Sequence, residues 1–160
     1  MALTPAAVGR LVTAGHKVYI ESGAGGEAFP DNLYQDAKAE VVKGAKATYG
    51  HAGMVLKVRK PELAEVALIP AGAALISFLQ PLNSPELVKA LAKRKVLSFS
   101  LETIPRITRA QSMDALSSQA TVSGYKAALI AADNLGKLFP MLMTAAGTVT
   151  PARVLVLGAG

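Results

Sequence analysis

The chain has 160 residues, 51% of them apolar and 18% charged, which is enough for one packed domain or a domain and the start of another, and too apolar for a disordered segment. It contains no cysteine, so disulfides and thiolate metal sites are excluded. The formal charge of +6 favours anionic ligands such as nucleotide phosphates.

Thr4 followed by Pro5 reads as a helix start, an N-cap with proline at the first helical position. Val8, Leu11 and Val12 then recur at helical spacing until Gly15. Lys17 to Ile20 reads as a short strand. The glycine loop from Ser22 to Gly26 follows it, and reads as a tight turn rather than a phosphate cradle, because its spacing lacks the dinucleotide pattern. Asp31 to Ala39 is expected to be a helix capped by Asp31, and Glu40 to Val42 a short extended piece. Strands are expected over Met54 to Val58, Ala74 to Leu79 and Lys95 to Ser100, with a helix from Ser84-Pro85 to Arg94 between the last two. The alternation of strand and helix predicts an α/β fold, a Rossmann-like parallel sheet flanked by helices.

The longest near-apolar run, Val66 to Leu79, contains Pro70 and Gly72 and is shorter than the ~20 residues that a spanning helix needs. No transmembrane segment or signal peptide is read in the chain. Lys93, Arg94 and Lys95 close a helix, where cations complement the dipole. With no aromatic residues interleaved, they do not read as a nucleic-acid surface.

From Ser112 to about Phe139 the residues are apolar on most sides, which predicts a long buried helix ended by Pro140. Arg153 to Leu157 then reads as a buried strand, and Gly158-Ala-Gly160 as the start of a glycine turn. The expected organisation is an N-terminal Rossmann-like lobe over 1–111, a long inter-lobe helix over 112–139, and over 140–160 a connector with the first strand and glycine turn of a second, NAD-binding lobe.

Chemistry is constrained by what is missing. His16 and His51 have no partner at ligand or triad spacing, so no metal site is expected and both histidines read as structural or solvated. No nucleophile elbow and no Walker loop occurs in the sequence. The polar cluster of Arg106, Arg109, Gln111, Asp114, Ser117 and Ser118 stands at the mouth of the long apolar segment. Arginine can hold a phosphate, and glutamine, serine and aspartate can bond a carboxamide or a ribose. On spacing alone the cluster reads equally as a helix cap at Ser112, a first-turn anion at Asp114 and two surface arginines. Hydride transfer between nicotinamides suits a chain of this kind, since the cofactors carry the reaction and the protein positions the rings.

The run from Arg106 to Gln119, RITRAQSMDALSSQ, resembles the signature loop of the alpha subunit of proton-translocating NAD(P) transhydrogenase. The segments Ala2 to Pro5, Gly23 to Gly25, Phe139 to Gly147 and Pro151 to Gly160 are similar to the same family, in the same order. The resemblance implies two Rossmann-like lobes with NAD(H) between them, and hydride transfer to NADP(H) held on a partner domain. It further implies a homodimer working with an NADP-binding beta subunit or domain III and a membrane domain that moves protons. The place so implied is peripheral, on the cytoplasmic face of a bacterial inner membrane or the mitochondrial matrix side. Carried over by position, Arg106, Gln111, Asp114 and Ser117 hold the nicotinamide end, with Gln111 and Asp114 at the reaction centre, while Gly158 and Gly160 lie under the pyrophosphate. The family's acidic ribose ligand has no counterpart here.

Alanine dehydrogenase is the sister family. Where it has a lysine and a histidine for its keto-acid, this sequence has Arg59 and Gln80, and glutamine is no general acid at neutral pH. An alanine-dehydrogenase-like oxidoreductase and a non-catalytic dimerisation module are the alternative readings.

Overall fold

The computed structural model describes residues 1–158, which fall into two compact units, Met1–Asp114 and a second that begins at Ala115. In the first unit, α1 (Pro5–Thr13) starts where the sequence places it, with the Thr4 hydroxyl oxygen accepting the Ala7 N–H at 3.2 Å. It ends in a Schellman closure: the His16 N–H reaches the Leu11 carbonyl and the Gly15 N–H that of Val12, with Gly15 at φ 89°.

The chain continues through β1 (Tyr19–Glu21), α2 (Asp31–Asp36), β2 (Glu40–Val42), α3 (Ala45–Gly50), β3 (Met54–Leu56), α4 (Leu63–Val66), β4 (Ala74–Ser77), α5 (Pro85–Lys93) and β5 (Leu97–Ser100). All strand pairs of this unit are parallel, in two sheets of order β1-β2 and β3-β4-β5. The α/β reading therefore holds. The short helices α3 and α4 are not foreseen in the sequence, because neither is long enough to display a helical period.

Each sheet has its own core. Val8, Val18, Tyr34 and Ala39 pack beneath β1-β2, and the Tyr34 hydroxyl donates to the Leu3 carbonyl at 2.9 Å. Around β4, Leu75 and Ile69 are fully buried among Val55, Val66, Leu87 and Leu91. Arg94, at the end of α5, adds a bond from its Nε to the Ile69 carbonyl at 2.9 Å.

Asp31 does not cap α2 as expected. It is the first helical residue, behind Pro30. Its carboxylate instead accepts the Ser22 hydroxyl at 2.6 Å and the Gly23 N–H at 2.8 Å, which fastens the glycine loop. These two bonds hold the Asp31 carboxyl below its ordinary range. A short acceptor at a helix start serves whichever donors the tertiary fold brings to it.

The second unit contains α6 (Ala115–Asn134) and an antiparallel hairpin, β6 (Leu142–Thr144) with β7 (Gly147–Val149). Here three expectations are corrected. The long helix is shorter at both ends than 112–139. Asp114, at ψ 85°, stands outside it after a 3-10 segment, and at the other end Gly136 is among the poorest helix formers. No residue of α6 is buried, and Tyr125 is 71% exposed. Apolar composition permits burial, but burial requires a covering surface. Finally, Arg153–Leu157 forms no strand, and Leu155 and Leu157 are more than 80% exposed (83% and 88%). A strand exists only through its ladder, and among the described residues none pairs with this segment.

Candidate functional site

The polar loop forms at the end of the first unit. After β5 the chain makes a 3-10 turn (Leu101–Thr103), passes Pro105 and Arg106, and winds into a second 3-10 segment, Thr108–Met113. Ala110 anchors that segment, being only 5% exposed, and its N–H donates to the Ile107 carbonyl at 2.9 Å. The Asp114 N–H closes the segment on the Gln111 carbonyl at 3.2 Å.

The tight winding gives the loop its chemical character. With about 3 residues per turn, one buried small residue holds the backbone while its neighbours stay outward. Arg106, Arg109 and Gln111 are exposed and Asp114 is half-buried. A cation, an amide and a carboxylate thus share one short segment, the donor and acceptor set that a carboxamide or a phosphate ester requires.

Ser117 lies in the first turn of α6 and is exposed. Gly158, also in the second unit, adopts φ 92° with open space where a Cβ would be, so its backbone needs glycine on conformational grounds. Gly160, the other expected pyrophosphate glycine, lies outside the described residues. Three of the expected site residues, Arg106, Gln111 and Asp114, therefore belong to the first unit, and Ser117 and Gly158 to the second.

Two further positions flank the C-terminal ends of β3 and β4, the edge where open parallel sheets bind ligands. Arg59 is exposed in the turn after β3. The fully buried Ser77 of β4 holds that turn, its hydroxyl 3.0 Å from the Arg59 carbonyl and 3.3 Å from that of Val58. Gln80 follows β4 at φ 50°, a left-handed conformation for a non-glycine residue. Glu102 stabilises it: the carboxylate accepts the N–H groups of both Leu79 and Gln80 and, at 2.7 Å, the Ser100 hydroxyl. Burial pushes the Glu102 carboxyl up, but these bonds outweigh it and hold the group below the ordinary range.

Ser77 and Glu102 are not foreseen in the sequence. Neither carries a local signal, because Glu102 reaches its acceptor role across 22 residues. His51 lies against Tyr19, their rings stacked at 5.4 Å. Among the described residues no cluster of histidine and carboxylate side chains has metal-site geometry, and no helix is long and apolar enough to cross a membrane.

Comparison with known proteins places this geometry in a family. The model described as the alanine dehydrogenase/PNT N-terminal domain matches residues 1–123, and that of the C-terminal domain of the same family matches residues 127–160. The chain is 45% identical, over its whole length, to the first part of NAD(P) transhydrogenase subunit alpha from Rhodospirillum rubrum, of which it covers 43%. It is 35% identical to alanine dehydrogenase of Methanococcus maripaludis, again over its whole length and 43% of the relative. Among solved structures, a transhydrogenase from Sinorhizobium meliloti superposes with a TM-score of 0.88 at 41% identity, covering 94% of this chain and 45% of the other. The chain thus spans less than half the length of these relatives.

Proposed function

The chain belongs to the alanine dehydrogenase/PNT family, an oxidoreductase family of nicotinamide nucleotides, and we propose that it is the NAD(H)-binding part of a proton-translocating NAD(P) transhydrogenase. The observation that carries this reading is the chain-long identity of 45% with a transhydrogenase alpha subunit, against 35% with an alanine dehydrogenase. Arg59 and Gln80 support it as well, since a glutamine in the turn after β4 cannot pass a proton to a keto-acid.

In this reading Arg106, Gln111, Asp114 and Ser117 grip the nicotinamide end of NAD(H), and Gly158 and Gly160 lie under the pyrophosphate. Gln111 and Asp114 stand at the reaction centre. Their part is to hold the carboxamide and ribose so that the ring faces its acceptor, and to exclude water. NADP(H) sits on a partner domain, and the hydride passes between the two rings. No side chain of the loop needs to exchange a proton, which suits a site whose groups are an arginine, an amide, a hydroxyl and a carboxylate. The assembly is a homodimer joined to an NADP-binding subunit and a membrane domain. This portion lies peripherally, on the cytoplasmic or matrix side. The domain division that accompanies the reading is a lobe over 1–111, an inter-lobe segment over 112–139 whose helical part is Ala115–Asn134, and the opening of the NAD-binding lobe over 140–160.

The test uses the longer protein that contains this chain, mixed with its NADP-binding partner. NADH-dependent reduction of an NADP⁺ analogue, with no NADH oxidation by pyruvate and ammonia, is the expected outcome. The reverse pattern would move the chain to the alanine dehydrogenase side of the family.

A further inference from the structure

Among the described residues, three that are not glycine adopt a left-handed backbone: Lys38, Gln80 and Lys95. Two of them have an ordinary cause. Lys38 follows the C-cap of α2 and Lys95 that of α5. Both sit in Schellman closures, where the Ala39 N–H reaches the Tyr34 carbonyl and the Val96 N–H that of Leu91. Gln80 closes no helix. It stands three positions beyond the end of β4, on the edge where open parallel sheets bind ligands. A costly backbone conformation at such an edge asks for a functional reason.

The conformation is held from both sides. The β4-β5 ladder ends at the pair Ser77 and Ser100. Beyond it the Glu102 carboxylate takes over as acceptor, receiving the Leu79 N–H at 3.2 Å and the Gln80 N–H. The Ser100 hydroxyl donates to the same carboxylate at 2.7 Å and fixes its direction. On the other side the Gln80 carbonyl accepts the Asn83 N–H at 3.0 Å, which closes a turn. Both main-chain groups of Gln80 are thereby engaged, and the adjoining Leu79 is buried. Gln80 itself is exposed, so the group this arrangement presents is its side-chain amide.

The amide has polar company at the same edge. Arg59 follows β3, and its turn is tied to this one by the Phe78 N–H on the Val58 carbonyl at 3.3 Å. Glu102 lies in the 3-10 turn after β5, and Arg106 comes four residues later, at the start of the polar loop. The ends of three adjacent parallel strands thus bring an arginine, an amide and the approach to that loop to one side of one sheet, all within the first unit. Glu102 is the link between them, since its side chain holds the Gln80 turn and its main chain leads to Arg106.

Resting on the nicotinamide reading of that loop, we infer that Gln80 is a further binding residue for the nicotinamide end of NAD(H), and that Glu102 is the positioning residue that aims it. An amide side chain offers two N–H donors and an oxygen acceptor, the complement of a carboxamide. It carries no charge and exchanges no proton, so it recognises the ring substituent without taking part in the transfer. Glu102 acts through Gln80 alone. Its carboxylate is occupied by donors of the protein, and what it contributes is a fixed turn, so that the amide is held in place before the ligand arrives.

The test titrates the longer protein that contains this chain with NADH and, separately, with ADP-ribose, which lacks the nicotinamide. Gln80→Met keeps the size of the side chain and removes its amide. It is expected to weaken NADH binding roughly five- to tenfold, the scale of one neutral hydrogen bond, and to leave ADP-ribose within about twofold. Glu102→Gln loosens the turn and is expected to follow the same pattern. The double variant should bind NADH within about twofold of Gln80→Met, because both changes act through one group. If Glu102→Gln does not fold, Ser100→Ala replaces it, since it removes the hydroxyl that directs the carboxylate. Equal weakening of both ligands would make the two residues structural, and unchanged NADH binding in Gln80→Met would remove Gln80 from the site. Either result overturns the inference and leaves the NAD(H) reading standing. Additive losses in the double variant overturn the role of Glu102. An unaltered protein that does not bind NADH overturns that reading, and the inference with it.

Discussion

The Glu102 carboxylate accepts the main-chain N–H of Gln80, a residue held at φ 50° three positions after the end of β4. One side chain thus fixes the turn at the sheet edge and leaves Gln80 in a conformation that costs a non-glycine residue about 1 kcal/mol or more. Removing the carboxylate by Glu102→Ala leaves the Leu79 and Gln80 N–H groups without their acceptor, at an expected cost of ~1–3 kcal/mol. Denaturant unfolding measures this, and Gln80→Gly in the same background should recover part of the loss.

The same carboxylate predicts a pH response. Its bonds hold the Glu102 group below its ordinary value of 4.5. A depressed carboxyl stabilises the fold above the unfolded value and loses that contribution as the pH falls through the folded one. Acid titration of the unfolding midpoint should therefore be shallower in Glu102→Gln than in the unaltered chain. Equal slopes would mean that the carboxylate is not coupled to folding.

Lys57 and Glu65 form a partly buried pair at 2.5 Å, with side-chain exposures of 22% and 29%, and the Tyr49 hydroxyl donates to the same Glu65 oxygen at 3.0 Å. Burial opposes both charges, lowering Lys57 and raising Glu65. The bonds within the trio outweigh it, so that Lys57 lies above its ordinary value of 10.5 and Glu65 below its ordinary 4.5. The pair's contribution is full between these two ordinary values. It falls away in acid as Glu65 protonates, and in alkali as Lys57 loses its proton. Glu65→Ala also breaks the capping box of α4 and strands Lys57. We expect ~1–3 kcal/mol of destabilisation at neutral pH, read by thermal unfolding.

Leu75 is fully buried at the centre of the larger core. Leu75→Ala should cost ~2–5 kcal/mol through lost transfer energy and a residual cavity. The exposed Leu157→Ala, at 88% exposure, should change the stability of this chain by ~0.5 kcal/mol or less. Comparable losses at both positions would show that the final apolar residues are packed in solution.

For the polar loop, Arg106→Ala and Gln111→Ala remove exposed side chains and should leave the unfolding midpoint nearly unchanged. In the longer protein each should weaken NADH binding roughly tenfold or more, the scale of a lost charge-assisted or well-placed hydrogen bond. Isothermal titration with NADH provides the measurement. Undiminished binding in the double variant would remove this loop from the proposed site.

The legible stretches of the sequence were those governed by local chemistry. Thr4-Pro5 and Gly15 bound α1 because a cap, a fixed φ and a left-handed closure are properties of a few adjacent residues. The short apolar runs Ala74 to Leu79 and Lys95 to Ser100 announced strands for a similar reason, and the strands observed are Ala74–Ser77 and Leu97–Ser100. The 3-10 winding of Thr108–Met113 was not legible, since its polar residues suit a loop as well as a tight turn. The error over Asp31 has the same origin. Its carboxylate found donors in the glycine loop, eight and nine positions away, where sequence rules look two or three positions ahead.

By itself, then, the sequence determined the kind and order of α1, α2, α5 and the strands β1 to β5, and the polar make-up of the loop around Gln111, because these follow from backbone preference and side-chain chemistry over a few residues. The tertiary structure alone decided which strands pair and which edges stay open, how Glu102 reaches Gln80, and that α6 has no buried face. Pairing, burial and long-range hydrogen bonds each need a second surface, and whether that surface is present is not written in the segment that would meet it.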